Sequence, residues 1–348
     1  MPAFAAEALT QATARLLSAI GTPGDIARRL AESLVNSNCA GHPSHGVIRI
    51  PEYTDVVLAG TWDPAARPTV RAETATSVLL DSNNGFGHLS ADLVTRLVAA
   101  KARASGVAVG GVVRCNHIGR LGEWAELGVG MGVFVIICAG WPLGETGAPY
   151  GGREGRLNTN PIAIGAPATD GDYLLVDFAT TASAEGKIRV YRDQGLQLPP
   201  GWIIDKDGNP STNPKDLYEG GLHLPFGAHK GSALSLAVAM LGGNLVGAAG
   251  PRPNEQIGAF AIAIDAGLFA PRETVLAGVR QELERIRTTA PAPGFAEVLA
   301  PGDSERRARA RADRDGVDVL DDTWRKMLST AEQAGVDPAE IEALARGV

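Results

Sequence analysis

Cysteine is scarce. The 348 residues contain three, Cys39, Cys115 and Cys138, an odd number at wide spacing that excludes a disulfide framework. No Cys cluster and no His-Glu-x-x-His run supplies a zinc set, so no metal is expected. A reducing, cytoplasmic setting is the simplest one for such thiols, and the start MPAFAAEALT lacks the basic stretch before an apolar run that marks a secretory signal. Excess positive charge is also missing. The net charge is −7, which excludes a global attraction to nucleic acid or to an anionic membrane. The uncharged stretches 127–144 and 231–251 are interrupted by glycines, Trp141-Pro142 and Gly242-Gly243-Asn244, and read as buried core rather than as membrane spans. Aromatic residues make up 5% of the chain, but hydrophobic residues reach 45% and charged ones 20%, values of an ordinary globular protein. With 43 glycines and 22 prolines and no triplet period, many tight turns are expected.

Two nucleotide fingerprints are absent as well. No Gly-x-Gly-x-x-Gly follows a strand; Gly85-Phe86-Gly87-His88 lacks the third glycine and reads as a turn into a helix. No phosphate loop of the Gly-x-x-x-x-Gly-Lys-Ser/Thr kind exists, although Gly227-Ala228-His229-Lys230-Gly231-Ser232 opens a helix where an anion could sit. A standard Rossmann domain is therefore excluded.

What is present is a change of texture along the chain. Residues 5–20 and 24–38 carry apolar side chains at helical spacing, with Gly21-Thr22-Pro23 between them. From about residue 76, short apolar runs (SVLLDS, VAVGGVV, VFVIICA, NPIAIGAP, YLLVDFA, GAFAIAID) alternate with helical patterns over 88–104, 119–131 and 231–242. Beyond residue 270 the pattern is helical again. The expected fold is α+β: a helical unit made from both chain ends (1–75 with 271–348) beside a mixed-sheet domain (76–270).

Two segments carry chemistry. In Gly41-His42-Pro43-Ser44-His45-Gly46-Val47-Ile48-Arg49, a helical continuation would place His45 and Arg49 on one face, a proton carrier beside a guanidinium able to grip a carboxylate through two parallel hydrogen bonds. A capped helix start with a surface ion pair is the competing reading of that segment alone. In Asn116-His117-Ile118-Gly119, directly after the VAVGGVV run, His117 stands on a turn at a strand end, where α/β folds expose ligand-binding residues. Asp177, closing YLLVDFA, could orient either histidine by accepting a ring N–H.

The runs GHPSHGVIRIPEY, NHIGRLGEWA, LNTNPIAIGAPA, VDFATTASAEGKI, LPPGWIIDKDGNPSTNP, FGAHKGSALSLAV and PGDSERRARAR occur in this order over nearly the whole chain. Together they resemble the second, non-Rossmann family of malate/L-lactate dehydrogenases, which also holds ureidoglycolate, sulfolactate and diketogulonate dehydrogenases and Δ1-piperideine-2-carboxylate reductases. The resemblance implies a homodimeric oxidoreductase using NAD or NADP, with a non-Rossmann cofactor domain, acting on a small carboxylate substrate. It also implies site residues. Ser44, His45, His117 and Asp177 match the catalytic positions and Arg49 the substrate-binding one; cofactor contacts fall on Thr159, Asn160, Pro161, Phe178, Ala179, Thr180, Lys187, Lys230, Gly302 and Arg306. His117 would exchange the proton in a hydroxy-acid dehydrogenase, whereas Ser44, His45 and Asp177 would do so in a cyclic imine reductase.

This chain departs from the family pattern at Ile118, Asn158, Ser232-Ala233 and the segment 138–149. These positions line the expected pocket wall, so a common substrate such as malate or lactate is not expected. Outside the family, a Ser-His-Asp hydrolase built on Ser44 is disfavoured because neighbouring helix residues do not face one another and no Gly-x-Ser-x-Gly elbow exists. A nucleotide-binding protein without catalysis would differ by leaving NAD(P)H unconsumed.

Overall fold

A computed structural model describes residues 2–248 and 257–347. The helices Ala6–Ala19 and Gly24–Cys39 bury their apolar stripes (Leu9, Leu16 and Leu17 against Ile26, Leu30 and Leu34) because those positions recur at three- and four-residue spacing. The C-terminal helices Asp321–Gln333 and Pro338–Arg346 close over them with Met327 and Ile341, and Ala3–Phe4 pairs antiparallel with Val317–Asp318. Both chain ends thus share one core, which also takes in Tyr53 and Phe86.

The middle of the chain forms a seven-stranded sheet in the order Thr69–Glu73, Ser77–Asp81, Val107–Val113, Gly258–Asp265, Val133–Gly140, Ile162–Pro167, Tyr173–Phe178. Every pairing is antiparallel except that of Ser77–Asp81 with Val107–Val113. That parallel pair needs a crossover, which the helix Gly87–Ser105 supplies. Gly87–Ser105 and Leu121–Gly130 cover one sheet face with Val94, Val98 and Trp124. A small three-stranded sheet (Ile203–Ile204, Pro210–Ser211, Leu222–His223) stands apart.

The helix Arg272–Arg287 does not join the terminal helices. Leu283 packs with Ala168 and Ala300, beside the outer strands Ile162–Pro167 and Tyr173–Phe178. Its amphipathic pattern is visible in the sequence, but the surface that receives it is a sheet edge, a matter of tertiary packing. Among the described residues, no helix is long and apolar enough to cross a membrane.

Candidate active site

The two histidine segments meet where the helical core touches the end of the sheet. The 43–49 stretch does not take the helical continuation that would have set His45 and Arg49 on one face; it forms two 3-10 turns, Pro43–His45 and Val47–Arg49, parted at Gly46. The break has a cause: a Cβ on Gly46 would fall 1.8 Å from Asn38 Oδ1, the same oxygen that accepts the Val47 amide at 2.9 Å. The irregular backbone lets adjacent side chains meet. Ser44 Oγ lies 3.0 Å from His45 Nδ1, a contact that a regular helix would forbid.

His117 is placed by a pinned loop. The buried Asn116 amide donates to the carbonyls of Asn84 (3.0 Å) and Gly85 (2.9 Å). The loop also lies directly on Gly87, where a Cβ would come within 2.3 Å of the Asn116 carbonyl. This close approach is what the Gly-Phe-Gly turn serves. The His117 and His45 rings then stack, with centroids 5.8 Å apart and planes 12° from parallel.

The Tyr53 hydroxyl is 2.6 Å from His117 Nδ1, and the Gly119 amide donates to the same nitrogen at 3.3 Å. An amide only donates, so Nδ1 is the acceptor and the neutral ring carries its hydrogen on Nε2. Burial raises the Tyr53 pKa, which keeps the phenol protonated and able to donate too. Burial, followed by the Arg49 charge, lowers the His117 pKa well below its ordinary value, and the same two causes bring His45 down to about 3. Both rings are neutral at pH 7.

Arg49 is held rather than free. Its Nε donates to the Ser44 carbonyl at 2.8 Å and its Nη1 to Glu52 Oε2 at 2.7 Å. The fork that the sequence offered to a substrate is therefore half occupied by the protein itself. Asp177 contacts neither histidine through any described hydrogen bond; it accepts from the Gly122 amide at 2.8 Å, next to the Arg120 guanidinium. Burial raises its pKa. Ser44, His45 and Asp177 accordingly do not form a connected triad here, because the strand end that carries Asp177 faces the start of the helix Leu121–Gly130.

A cleft of about 380 Å³ opens at this junction, walled by His45, His117, Ile118, Trp141 and the turn Asn158–Pro161, a size typical of small-molecule sites. Thr159, Asn160 and Pro161 line it. The buried Asn160 adopts a left-handed φ of 34°, held by its side chain, which donates to Ser235 Oγ at 3.0 Å and accepts the Trp141 amide at 3.2 Å. Phe178, Ala179, Thr180, Lys187, Lys230, Gly302 and Arg306 do not line this cleft. Thr180 is tied to the Thr159 carbonyl (2.8 Å), Phe178 packs edge-on to Phe226, and Lys187 stands over the Trp202 ring at 5.2 Å. Arg306 is paired with Asp172 and Asp303 and lies over Tyr173; Gly302, with φ 102°, precedes its helix. Lys230 is exposed at the opening of the helix His229–Ala239. Two wall residues, Glu52 and Trp62, and the orienting Tyr53, were not singled out from sequence, whereas Trp141 falls in the segment 138–149 that was expected on the pocket wall. Tyr53 does stand one helical turn after Arg49, which was the available signal.

A family model described as malate/L-lactate dehydrogenase matches residues 4–328. The chain belongs to this family. It is 31% identical to the L-sulfolactate dehydrogenase of Methanothermobacter thermautotrophicus, covering 92% of this chain and 94% of that one. It is 32% identical to the L-lactate dehydrogenase of Cupriavidus necator, covering 92% and 95%. Among solved structures, the Δ1-piperideine-2-carboxylate reductase of Pseudomonas syringae superposes with a TM-score of 0.82 at 29% identity, covering 95% of this chain and all of that one (100%). This member of the malate/L-lactate dehydrogenase family is thus an oxidoreductase with hydroxy-acid dehydrogenase or reductase chemistry.

Proposed function

We propose that the protein moves a hydride between NAD or NADP and a 2-oxo/2-hydroxy acid, with His117 handling the proton and Arg49 meeting the carboxylate. The observation that carries this reading is the placement of His117 on the cleft wall, its Nδ1 engaged from behind by Tyr53 and Gly119 so that Nε2 is the nitrogen left for substrate. In the reductive direction the carbonyl carbon would take up a hydride and its oxygen a proton. A bound nicotinamide would supply that hydride from C4 and be oxidised by its loss. The residues present fit such a group: the cleft admits a flat ring beside His117, and the strained Asn160 holds the 159–161 turn rigidly along its edge.

The chain's own work is then positional. A protonated His117 donates Nε2–H to the carbonyl oxygen; Arg49 stands behind Glu52, outside the described residues that line the cleft, and would reach the substrate carboxylate with Nη2, while the Ile118, Trp141 and Leu121 walls exclude water. Lys187, Lys230 and Arg306 remain proposed contacts for the rest of the dinucleotide. For a cyclic imine the same hydride would go to the C=N carbon, and the Ser44–His45 contact favours keeping that second reading. Following reduced-nicotinamide absorbance with 2-oxo acids and cyclic imines, under NADH and NADPH, tests both. Turnover of neither class would overturn the function.

We also propose a homodimer. The segment 229–245 exposes Leu236, Met240, Leu241 and Leu245 at helical spacing, the last two at 39% and 65% exposure. A contiguous apolar helix face of this kind is an interface in waiting.

A further inference from the structure

The cleft has an acidic wall. Among its described lining residues there is no lysine or arginine and one carboxylate, that of Glu52. Both histidines on the wall are held neutral by burial and by the Arg49 charge. Glu52 rises from the helix Ile50–Leu58 with its side chain 42% exposed, whereas the Arg49 side chain beneath it is 13% exposed. Glu52 lines the cleft, and only its Oε2 is taken up by Arg49, which leaves Oε1 without a described partner. Trp62 lines the same cleft a few residues along the chain, its ring fixed against Tyr53 at a centroid distance of 5.3 Å. A carboxylate and an indole lining one cleft are the chemistry that holds an organic cation, through charge and through the ring face.

Charge counting sharpens this. Arg49 and Glu52 already sum to zero. A substrate carboxylate brings one negative charge into a partly desolvated cleft, and a second acidic group would leave two in excess against Glu52 at short range, which such a site rejects. A cationic side chain restores neutrality.

We propose that the substrate is a 2-oxo or 2-hydroxy acid whose side chain ends in a cationic nitrogen, received by Glu52 and Trp62. This rests on the reading of the cleft as a hydroxy-acid site. The test uses three acids of similar length, 5-guanidino-2-oxopentanoate, 2-oxohexanoate and 2-oxoglutarate, with binding followed by calorimetry and turnover by NAD(P)H absorbance on the wild-type protein and on Glu52→Gln. The guanidino acid is expected to bind more tightly than the dianion by at least about 30-fold, and Glu52→Gln to cut that ratio by about tenfold, the range of charged interface contacts. Tighter binding of 2-oxoglutarate by the wild type, or a ratio unmoved by Glu52→Gln, overturns the proposal. The wild-type ranking needs no variant to fold. Selective binding of the guanidino acid with no NAD(P)H consumed would support the cationic site and overturn the oxidoreductase assignment of the cleft instead.

Discussion

Tyr53 and His117 are joined by a 2.6 Å contact between the phenol oxygen and Nδ1, on the side of the ring that also receives the Gly119 amide. The pair couples the helical core, in which Tyr53 is fully buried, to the loop that follows the central strand Val107–Val113. It also decides which nitrogen can reach a substrate, since Nδ1 is occupied and Nε2 is not.

Removing the hydroxyl alone tests that coupling. Tyr53→Phe keeps the ring contacts with Trp62 and Phe86 but leaves His117 Nδ1 with a single, longer hydrogen bond. A loss of about 1 kcal/mol of stability is expected, with kcat falling roughly tenfold as the ring loses its orientation. His117→Gln should lower kcat by about 10²–10⁴-fold with cofactor affinity retained. If His45→Gln proves the more damaging of the two histidine variants in steady-state assays, the proton passes through Ser44–His45 instead.

The rate should also depend on pH differently in the two directions. Burial and Arg49 hold His117 well below its ordinary pKa, so its protonated form is rare at pH 7 and becomes rarer as pH rises. Reductive kcat/KM should therefore fall by about tenfold per pH unit above neutrality, without a plateau between pH 6 and 8. Oxidation of the 2-hydroxy acid needs the neutral ring with its hydrogen moved to Nδ1, donated to the Tyr53 oxygen so that Nε2 can accept, and should show no such fall. A reductive plateau up to pH 8 would contradict the proton role given to His117.

Arg49→Lys keeps the charge and loses geometry. A lysine gathers its three donors on one nitrogen and loses the planar fork by which Arg49 reaches the Ser44 carbonyl and Glu52 from separate nitrogens. The expected cost is about 1.5–3 kcal/mol, or roughly 10- to 150-fold in kcat/KM on carboxylate substrates. Weakened NAD(P)H binding with unchanged kcat/KM would move Arg49 to the cofactor site.

Acid should destabilise the fold early. His88 and His223 are buried at 1% and 2% exposure, and burial brings their pKa values down to about 3 and about 4. The unfolded chain binds protons on both below about pH 6.5, so stability is full above that pH and falls as pH drops toward 4. Each contributes a limiting slope of about 1.4 kcal/mol per pH unit. Urea titrations at pH 7.5 and 5 should show the loss, and His88→Gln should shrink it.

A charge on the exposed apolar helix face tests assembly. Leu236→Asp with Met240→Asp should convert a dimer to monomer in light scattering, since a stable interface buries about 1,200 Å² or more and cannot desolvate two carboxylates there. A wild-type monomer at micromolar concentration would contradict the homodimer.

Much of the architecture was legible because it is local. Helix spacing in 5–38, the β-branched runs of the middle strands and the Gly-Phe-Gly turn each constrain their own neighbourhood, and the ordered motifs are shared along the chain with the malate/L-lactate dehydrogenase family. The histidines and Ser44 were visible as reactive residues in short contexts, and the 159–161 turn only through the family resemblance. What tertiary structure alone decided is which of them meet. Asn38 under Gly46 breaks the helical continuation and so allows Ser44 to touch His45, and Gly122 rather than a histidine takes Asp177. Tyr53 and Glu52 became site residues because a helix from the N-terminal core faces the end of the central sheet. Periodicity encodes which side of an element is buried, but the partner across a contact depends on how distant segments are docked, and no local spacing carries that information.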